Sequence, residues 1–405
     1  MKMRLKIAAR NIFRHRGRTS VSLLMIAGAV IGLVLFNGFA ANILGNMRRI
    51  VIDNQYGHIQ VAQRAFFELS PGPRKDQFIP RPAELAAQIQ KVDGVKSVAG
   101  RISFFGLIST GDITISAKGM GFDPSHETEF NSNLVIDQGH PLTPDSKLHV
   151  IIGAGLQKKL NVKVGSDVTV LAYTLDGVVN ALELNVVGIF QTKNSEVDDN
   201  VFMLPLSSVQ LLLDTDLVEV LAVRLQKTDD TDSIRANLQD SVLDKTYQAK
   251  TWFELSNFYR QTAAFFRTQN LVIQIILLSL VFLGILNTVG MSVYERTGEI
   301  GTVRALGEPD ASVIHQFTLE GAMLGFVGAV IGAAGGLACT LFINAIKVTM
   351  EMPGTSTSIP IAIDIVPASY LEAILIVILA STAATWIPSI RASKMSIVDA
   401  LRKNI

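Results

Sequence analysis

The fold of this chain is decided near its start, by residues 21–44, which read VSLLMIAGAVIGLVLFNGFAANIL. This stretch contains no charged residue, and a helix of about 20 apolar residues is long enough to cross the hydrocarbon layer of a bilayer. It therefore predicts a first transmembrane span at residues 21–44. A cleaved signal peptide is the alternative, but the apolar region of a signal peptide usually has only about 7 to 15 residues.

Three further apolar stretches predict spans in the last third of the chain, at residues 271–293, 317–346 and 373–390. Lys and Arg concentrate in cytoplasmic segments, and residues 1–20 contain seven basic residues and no acidic one. The chain is therefore predicted to begin in the cytoplasm. Alternation across four spans then places the segments 45–270 and 347–372 outside, and the loop 294–316 and the basic tail 391–405 inside.

The composition is that of a membrane protein, because 49% of the 405 residues are hydrophobic and only 18% are charged. A net charge of +1 argues against a nucleic-acid partner, which would call for a basic face. Cys339 is the only cysteine, so an intrachain disulfide is excluded and any outer domain must rely on its own core.

Residues 45–270 have the pattern of a globular α+β domain, with short apolar strands, polar helices and glycine-marked turns. Two strand–helix–strand units are predicted, at 58–61, 82–91 and 95–108, and at 217–225, 233–243 and 247–252. They flank a mostly β insertion at 110–216, in which strands 168–171 and 182–189 form a hairpin across Asp176-Gly177. The predicted fold is therefore four transmembrane helices plus a large α+β extracytoplasmic domain, with one subdomain inserted in the other.

The segment 255–270 leads into the second span without a proline or glycine and is predicted to be a continuous helical stalk. The stalk is either a rigid carrier of motion or a simple connector. Aromatic residues favour the membrane interface, so four of them are candidate contacts with lipid or with a lipid-anchored substrate: Phe258, Tyr259, Phe265 and Phe266.

The third span is rich in glycines spaced three or four residues apart, which lets transmembrane helices pack closely. The candidate packing positions are Gly321, Gly325, Gly328, Gly332, Gly335 and Gly336. The contact is either inside one bundle or between two copies of the chain. Glu320 lies in the first turn of the predicted span, where a carboxylate suits the positive end of the helix dipole; a paired functional charge is the alternative.

The chain shows no motif for chemistry of its own. It has no G-x-x-x-x-G-K-[ST] loop for ATP phosphates, no H-E-x-x-H pair and no G-x-S-x-G. The six histidines have no metal-ligand spacing. We therefore expect a non-catalytic chain that binds no metal and no cofactor.

The inner loop after the second span carries the most informative motif, ERTGEIGTVRALG at residues 295–307. Its pattern predicts a short amphipathic helix with Ile300, Val303 and Leu306 apolar and open to the cytosol, ended by Gly307. A solvated turn is the alternative. An exposed apolar stripe of this kind would gain by burial in a partner's groove.

This loop resembles the R-E-I-G-x-x-R-A-L/I-G pattern of the FtsX-like permease family, the MacB and LolC/LolE type of ABC transporter membrane subunit. Gly298 replaces a residue that is often charged there. Four further stretches match the family: AARNIFRH at 8–15, GHIQV at 57–61, EGA at 320–322, and RASK with VDALR at 391–402, where Ser396 stands in place of the usual proline. The resemblance covers both ends and the topology of almost the whole chain.

The resemblance implies a permease in the bacterial inner membrane that forms a homodimer or heterodimer with a second permease subunit. Two copies of a separate ATPase, which hold the ATP and Mg²⁺, would dock on the inner loop. The residues that would couple to them are Glu295, Arg296, Glu299, Ile300, Val303, Arg304, Leu306 and Gly307. The domain resembles the porter and sabre pair of the family, with porter-like segments 45–109 and 217–254 and a sabre-like insertion 110–216.

Three functions are consistent with this family. Release of lipoproteins or a similar amphipathic substrate is favoured, because the chain lacks the ATPase that MacB carries on the same polypeptide. Efflux of a drug, peptide or toxin is the second. Transmembrane signalling to a cell-wall hydrolase, as in FtsX, is the third, although FtsX chains usually have a smaller outer domain. A receptor or sensor is a more distant alternative.

Overall fold

A computed structural model describes residues 16–68, 75–125, 134–192, 195–347, 349–350, 359–360 and 362–395. The predicted basic segment up to residue 15, its motif at 8–15 and the tail from residue 396 lie outside the described residues. The α-helices are α1 Arg16–Ile50, α2 Arg64–Glu68, α3 Pro82–Gln90, α4 Ala154–Leu160, α5 Ser195–Asn200, α6 Leu206–Leu213, α7 Thr231–Asn237, α8 Trp252–Leu255, α9 Asn257–Glu295, α10 Thr297–Ala305, α11 Asp310–Ile346 and α12 Pro367–Ser393.

Two π-helical segments extend helices, and two 3₁₀ turns lie in loops: Val51–Tyr56 after α1, Leu238–Val242 after α7, Lys75–Gln77 and Thr228–Asp230. The strands are β1 Ile59–Gln63, β2 Val95–Ser109, β3 Thr114–Phe122, β4 Val135–Gly139, β5 His149–Gly153, β6 Asp167–Tyr173, β7 Val179–Gln191, β8 Val201–Pro205, β9 Val220–Leu225, β10 Tyr247–Thr251, β11 Thr349–Met350 and β12 Ile359–Pro360.

The chain divides into two compact units. The first takes the described residues within 1–45, 261–349 and 360–405, and the second takes those within 46–260 and 350–359. Among the described residues, four helices are long and apolar enough to cross a membrane: Gly17–Tyr56, Asn257–Glu295, Asp310–Ile346 and Pro367–Ser393. Each contains one predicted span, so the prediction of a membrane protein with four transmembrane helices is confirmed.

The first unit is a helix bundle with an apolar core. Buried side chains from all four long helices and from α10 form one cluster that includes Leu33, Ile285, Ile300, Phe317 and Val377. Between α1 and α9, the Ser22 and Thr288 hydroxyls form a 2.7 Å hydrogen bond, which satisfies two polar groups inside an apolar bundle. The bundle therefore buries one side of each helix and leaves large apolar side chains on the outside, as a lipid environment requires.

The second unit is an α+β domain built on one long strand, β2. The first half of β2 pairs antiparallel with β9, which pairs with β1, and β1 with β10. The second half pairs with β3 and β6. From β3 the pairings run through β8, β5, β7 and β6 back to β2, so six strands close into a ring. Among the described strands, β4 pairs with β7 alone and lies outside the ring, at an edge of the sheet.

The chain order makes the ring an insertion. Strands β3 to β8 come between the two segments that supply β1, the first half of β2, β9 and β10, so the α+β fold with one subdomain inserted in the other is confirmed. The predicted hairpin is present as β6 and β7, with Thr174 N–H bonded to the Val178 carbonyl at 2.8 Å and Gly177 at a φ of +82°. Both parts share one core, which includes Ile59, Ile89, Ile108 and Val170.

An ion pair, a hydrogen bond and apolar packing fix the π-helical turn Val51–Tyr56 to the rest of the second unit. Asp53 lies 2.6 Å from the Arg224 guanidinium of β9, and both side chains are largely buried. Arg101 of β2 donates a 2.8 Å hydrogen bond to the Gln55 carbonyl. Val51 and Ile52 pack in a small cluster with Trp252. The residues that follow the first membrane helix are therefore fastened to two strands of the domain.

Candidate functional site

The inner-loop motif forms α10, which we call the loop helix (Thr297–Ala305). The hydroxyl of its first residue, Thr297, donates to carbonyl oxygens in the last turn of α9, at 2.7 Å to Tyr294 and 3.1 Å to Val293, which ties the loop helix to that turn. Gly307 ends it in a left-handed conformation with φ +93°, which glycine adopts without steric cost. The predicted short helix is present with its predicted stop.

The three residues of the predicted apolar stripe do not all lie on the same side of the loop helix. Ile300 is buried in the bundle core, whereas Val303 is 44% and Leu306 84% exposed. The prediction that all three lie open to the cytosol is therefore wrong for Ile300. The reason is that Ile300 faces the membrane helices and completes their core, so only Val303 and Leu306 remain for a partner.

Glu320 is not at a helix start. Helix α11 begins at Asp310, so Glu320 lies almost three turns inside it. Its carboxylate accepts 3.0 and 3.3 Å hydrogen bonds from Arg296 Nη1, and both side chains are only 11% exposed. The helix-dipole interpretation of Glu320 is therefore wrong, and the alternative of a paired internal charge is what the structure has. The predicted span starts at residue 317, seven residues after the helix begins, which is why the sequence pattern assigns Glu320 to a first turn.

The remaining charged residues of the motif also hold the loop in place. Arg18 of α1 binds Glu295 through two hydrogen bonds of 3.0 and 2.6 Å. Arg304 pairs with Asp310 at 3.0 Å and donates a hydrogen bond to the Met395 carbonyl. Sequence reasoning missed Arg18, Asp310 and Met395 as members of this site, since each comes from a segment distant from, or just outside, the motif.

Seven of the eight candidate coupling residues fall into two sets, and the eighth, Gly307, ends the loop helix. Four of them pack in the bundle core or form ion pairs within the first unit: Glu295, Arg296, Ile300 and Arg304. Glu299, Val303 and Leu306 lie on the exposed side, where Glu299 is 3.7 Å from Arg296 Nε. The site that a partner could reach is therefore a small apolar surface, Val303 and Leu306, with one carboxylate beside it.

The four aromatic candidates of the stalk do not form one surface. Tyr259 stacks edge-on against Trp252 in the second unit, at 4.9 Å between ring centroids. Phe266 packs against Phe36 and Phe39 of α1 in the first unit, at 6.4 Å to each. Phe258 and Phe265 are 72% and 64% exposed. Only these two are free to meet lipid or a substrate.

The glycines of α11 face two neighbouring helices. A Cβ at Gly321 or Gly325 would lie about 2 Å from Thr385 or Ser381 of α12. Gly328, Gly332, Gly335 and Gly336 face α1, where a Cβ on Gly332 would lie 2.8 Å from the Ala27 carbonyl oxygen. These contacts are inside one chain, so close packing within the bundle is the role that the structure gives these residues.

A histidine and a glutamate of the second unit have strongly shifted pKa values. Burial and, less strongly, the Arg224 and Arg48 charges lower the pKa of His58 to about 4, and His58 Nδ1 accepts from Leu225 N–H at 3.2 Å. Burial raises the pKa of Glu219 to about 7. The Glu219 carboxylate accepts a 2.9 Å hydrogen bond from Ser103 N–H, which lowers the pKa but is the smaller effect. Both groups join strands, and Ser103 lies where β2 passes from β9 to the ring, so we interpret both as structural.

Within the part of the chain that the structure describes, His, Cys, Asp and Glu side chains form no group of three or more suited to a metal ion. That this chain binds no cofactor stays a prediction from its sequence.

Two family models match the chain. The FtsX-like permease C-terminal model matches residues 271–397, and the MacB-like periplasmic core domain model matches residues 19–241. The LolE transmembrane protein of the lipoprotein-releasing system of Haemophilus influenzae is 24% identical over 91% of this chain and 89% of its own length. LolC of the lipoprotein-releasing system of Neisseria meningitidis is 23% identical over 78% of this chain and 76% of its own length. The pyoverdine export ATP-binding/permease protein PvdT of Pseudomonas syringae is 27% identical over 44% of this chain and 29% of its own length.

Four transmembrane helices, an inserted α+β domain after the first and a loop helix after the second define a permease subunit of an ABC transporter. The chain belongs to the FtsX-like permease family with a MacB-like periplasmic core domain, since the two models together match most of its length. The resemblance noted on the motifs is thereby confirmed.

Proposed function

We propose that this chain couples ATP hydrolysis by a separate ATPase to movement of its outer domain, and so releases lipoproteins from the bacterial inner membrane. The observation that carries this proposal is the length of the similarity to LolE, which extends over 91% of this chain and 89% of that protein. LolE is named as part of a lipoprotein-releasing system. The proposal also includes ATP and Mg²⁺ bound by two ATPase copies and a second permease subunit.

The geometry of the loop helix supports the ATPase partner. Val303 and Leu306 are apolar side chains held outward by a helix whose other side is anchored to the bundle. An apolar surface that is fixed in position loses little conformational entropy on docking, which favours binding of a protein groove. Exposed Phe258 and Phe265 support a lipid-anchored substrate, because aromatic side chains favour the membrane interface.

Efflux is the second candidate, and one comparison favours it. PvdT is named as an export protein, but its similarity covers only 44% of this chain and 29% of its own length. The shorter match is why we prefer lipoprotein release.

Depletion of the protein tests the substrate. Lipoproteins should accumulate severalfold in the inner membrane when membranes of depleted cells are separated by density, and wild-type protein should restore their distribution. A Leu306→Asp variant expressed at the same level should fail to restore it. A normal lipoprotein distribution, together with new sensitivity to an exported compound, would replace release with efflux.

The proposed orientation places the outer domain in the periplasm and both termini in the cytoplasm. Asp230 and Thr302 are both exposed, so cysteines at these positions are comparable probes once Cys339 has been replaced. In intact spheroplasts an impermeant thiol reagent should label Asp230→Cys, and it should label Thr302→Cys only after lysis. Labelling of Thr302→Cys in intact cells would contradict the orientation.

A further inference from the structure

The last residue of α9 and the residue that follows it make ion pairs with two different membrane helices. Glu295 binds Arg18 of α1, with a closest distance of 2.6 Å, and Arg296 binds Glu320 of α11 at 3.0 Å. Arg296 directly precedes the loop helix. The chain is therefore fastened to the bundle immediately before the surface that Val303 and Leu306 present.

The Arg296–Glu320 pair is the more enclosed of the two. Each side chain is 11% exposed, compared with 29% and 33% for Arg18 and Glu295. The Arg296 guanidinium also lies 6.0 Å from the centre of the Phe317 ring. A buried charge is costly unless it is paired in good geometry, so each side chain constrains the position of the other.

The far end of the loop helix is anchored separately. Arg304 pairs with Asp310 at the start of α11 and bonds to the Met395 carbonyl after α12. Ion pairs therefore hold both ends of a helix of only nine residues, which is too short to be stable without tertiary contacts. Between the two anchors, the helix also buries Thr297, Gly298, Ile300 and Gly301.

We propose that Glu320 is a positioning residue for the ATPase contact: through Arg296 it fixes the angle at which the loop helix presents Val303 and Leu306. Glu320 itself is buried in the bundle and does not touch the partner. This inference rests on the proposed function for the identity of the partner, but the fixed angle of the loop helix is a property of this chain alone. The two statements can therefore be tested separately.

Spin labels on the full-length chain test the angle. Cysteines at Ser20 and Thr302, both exposed, report the distance from α1 to the loop helix by pulsed electron spin resonance, after replacement of Cys339. We expect a narrow distance distribution in the otherwise unchanged chain and a distribution at least about twice as broad in Glu320→Gln. The exchange Arg296→Glu with Glu320→Arg should narrow it again, because the pair is restored with its charges reversed.

Glu299→Gln is the matched control for this distance. Glu299 is the exposed acidic partner of the same arginine, at 3.7 Å, so its loss should leave the distribution narrow. If Glu320→Gln does not fold, Glu320→Asp keeps the charge but shortens the side chain, and should give an intermediate width. A narrow distribution in every folded Glu320 variant, or no recovery in the exchange, would overturn the proposal.

The second readout is the ATPase that co-purifies with the tagged wild-type chain from membranes of the source organism. Glu320→Gln should reduce its capture roughly tenfold, and the charge exchange should restore it to within about twofold of wild type. Unchanged capture in Glu320→Gln, with a broadened distance, would overturn the positioning role. If the wild-type chain captures no ATPase, the proposed function fails, while the distance measurements still decide whether Glu320 fixes the helix.

Discussion

Replacing Leu306 with aspartate should lower capture of the ATPase by about tenfold or more while leaving the fold of the chain unchanged. Leu306 is 84% exposed and lies just past the end of the loop helix, so no packing within the chain is lost. A charge there would have to be desolvated in the partner's groove, which is unfavourable without a counter-charge. Co-purification from membranes, followed by ATP hydrolysis of the captured complex, measures the effect.

Two further variants make this result interpretable. Leu211→Asp is the matched control, since Leu211 is an exposed leucine on the second unit, and it should leave capture unchanged. Ile300→Asp should instead impair folding, because Ile300 is buried in the bundle core. Wild-type capture by Leu306→Asp would show that the ATPase does not dock on this surface.

Replacing Gly332 with valine should destabilise the membrane bundle by about 2 to 3 kcal/mol. A Cβ at this position would lie 2.7 Å from the Val30 side chain and 2.8 Å from the Ala27 carbonyl oxygen. A backbone atom cannot move aside as a side chain can, so α1 and α11 would have to separate. Thermal unfolding of the purified full-length chain in detergent measures the loss.

Gly28→Val is the control for that substitution. It places the same residue type in α1, at an exposed position where an added Cβ meets nothing within 4 Å. Its unfolding temperature should match that of the wild-type chain. If Gly332→Val unfolds like wild type but loses self-association, the glycine face belongs to a dimer contact, and our assignment of internal packing is wrong.

Much of the architecture follows from local sequence. A span needs about 20 apolar residues in a row, so hydropathy alone places four membrane helices. The β6–β7 hairpin is equally local, because Asp176-Gly177 supplies the turn between two strands of alternating polarity. The inserted subdomain was also predictable, since two strand–helix–strand patterns are separated by a β-rich stretch.

The position of Glu320 shows where such reasoning stops. Hydropathy placed the start of the third span at residue 317, but the helix begins at Asp310, because a helix can extend beyond the membrane with polar residues. An acidic residue near the apparent start of a span suggests an interaction with the helix dipole. The partner of Glu320 is instead Arg296, which lies 24 residues earlier in the sequence. No local pattern joins Arg296 to Glu320.

The sequence by itself determined the elements of this protein: four spans, an α+β domain with an insertion, and a short helix with a glycine stop in the inner loop. Hydropathy, periodicity and turn residues act over a few neighbouring residues, which is why these elements could be predicted. Only the tertiary structure decided which residues face one another, as with Ile300 in the bundle core, Gly332 against α1 and Arg296 against Glu320. Such contacts depend on how distant segments pack, and a single amphipathic pattern does not distinguish a side chain that completes a core from one that awaits a partner.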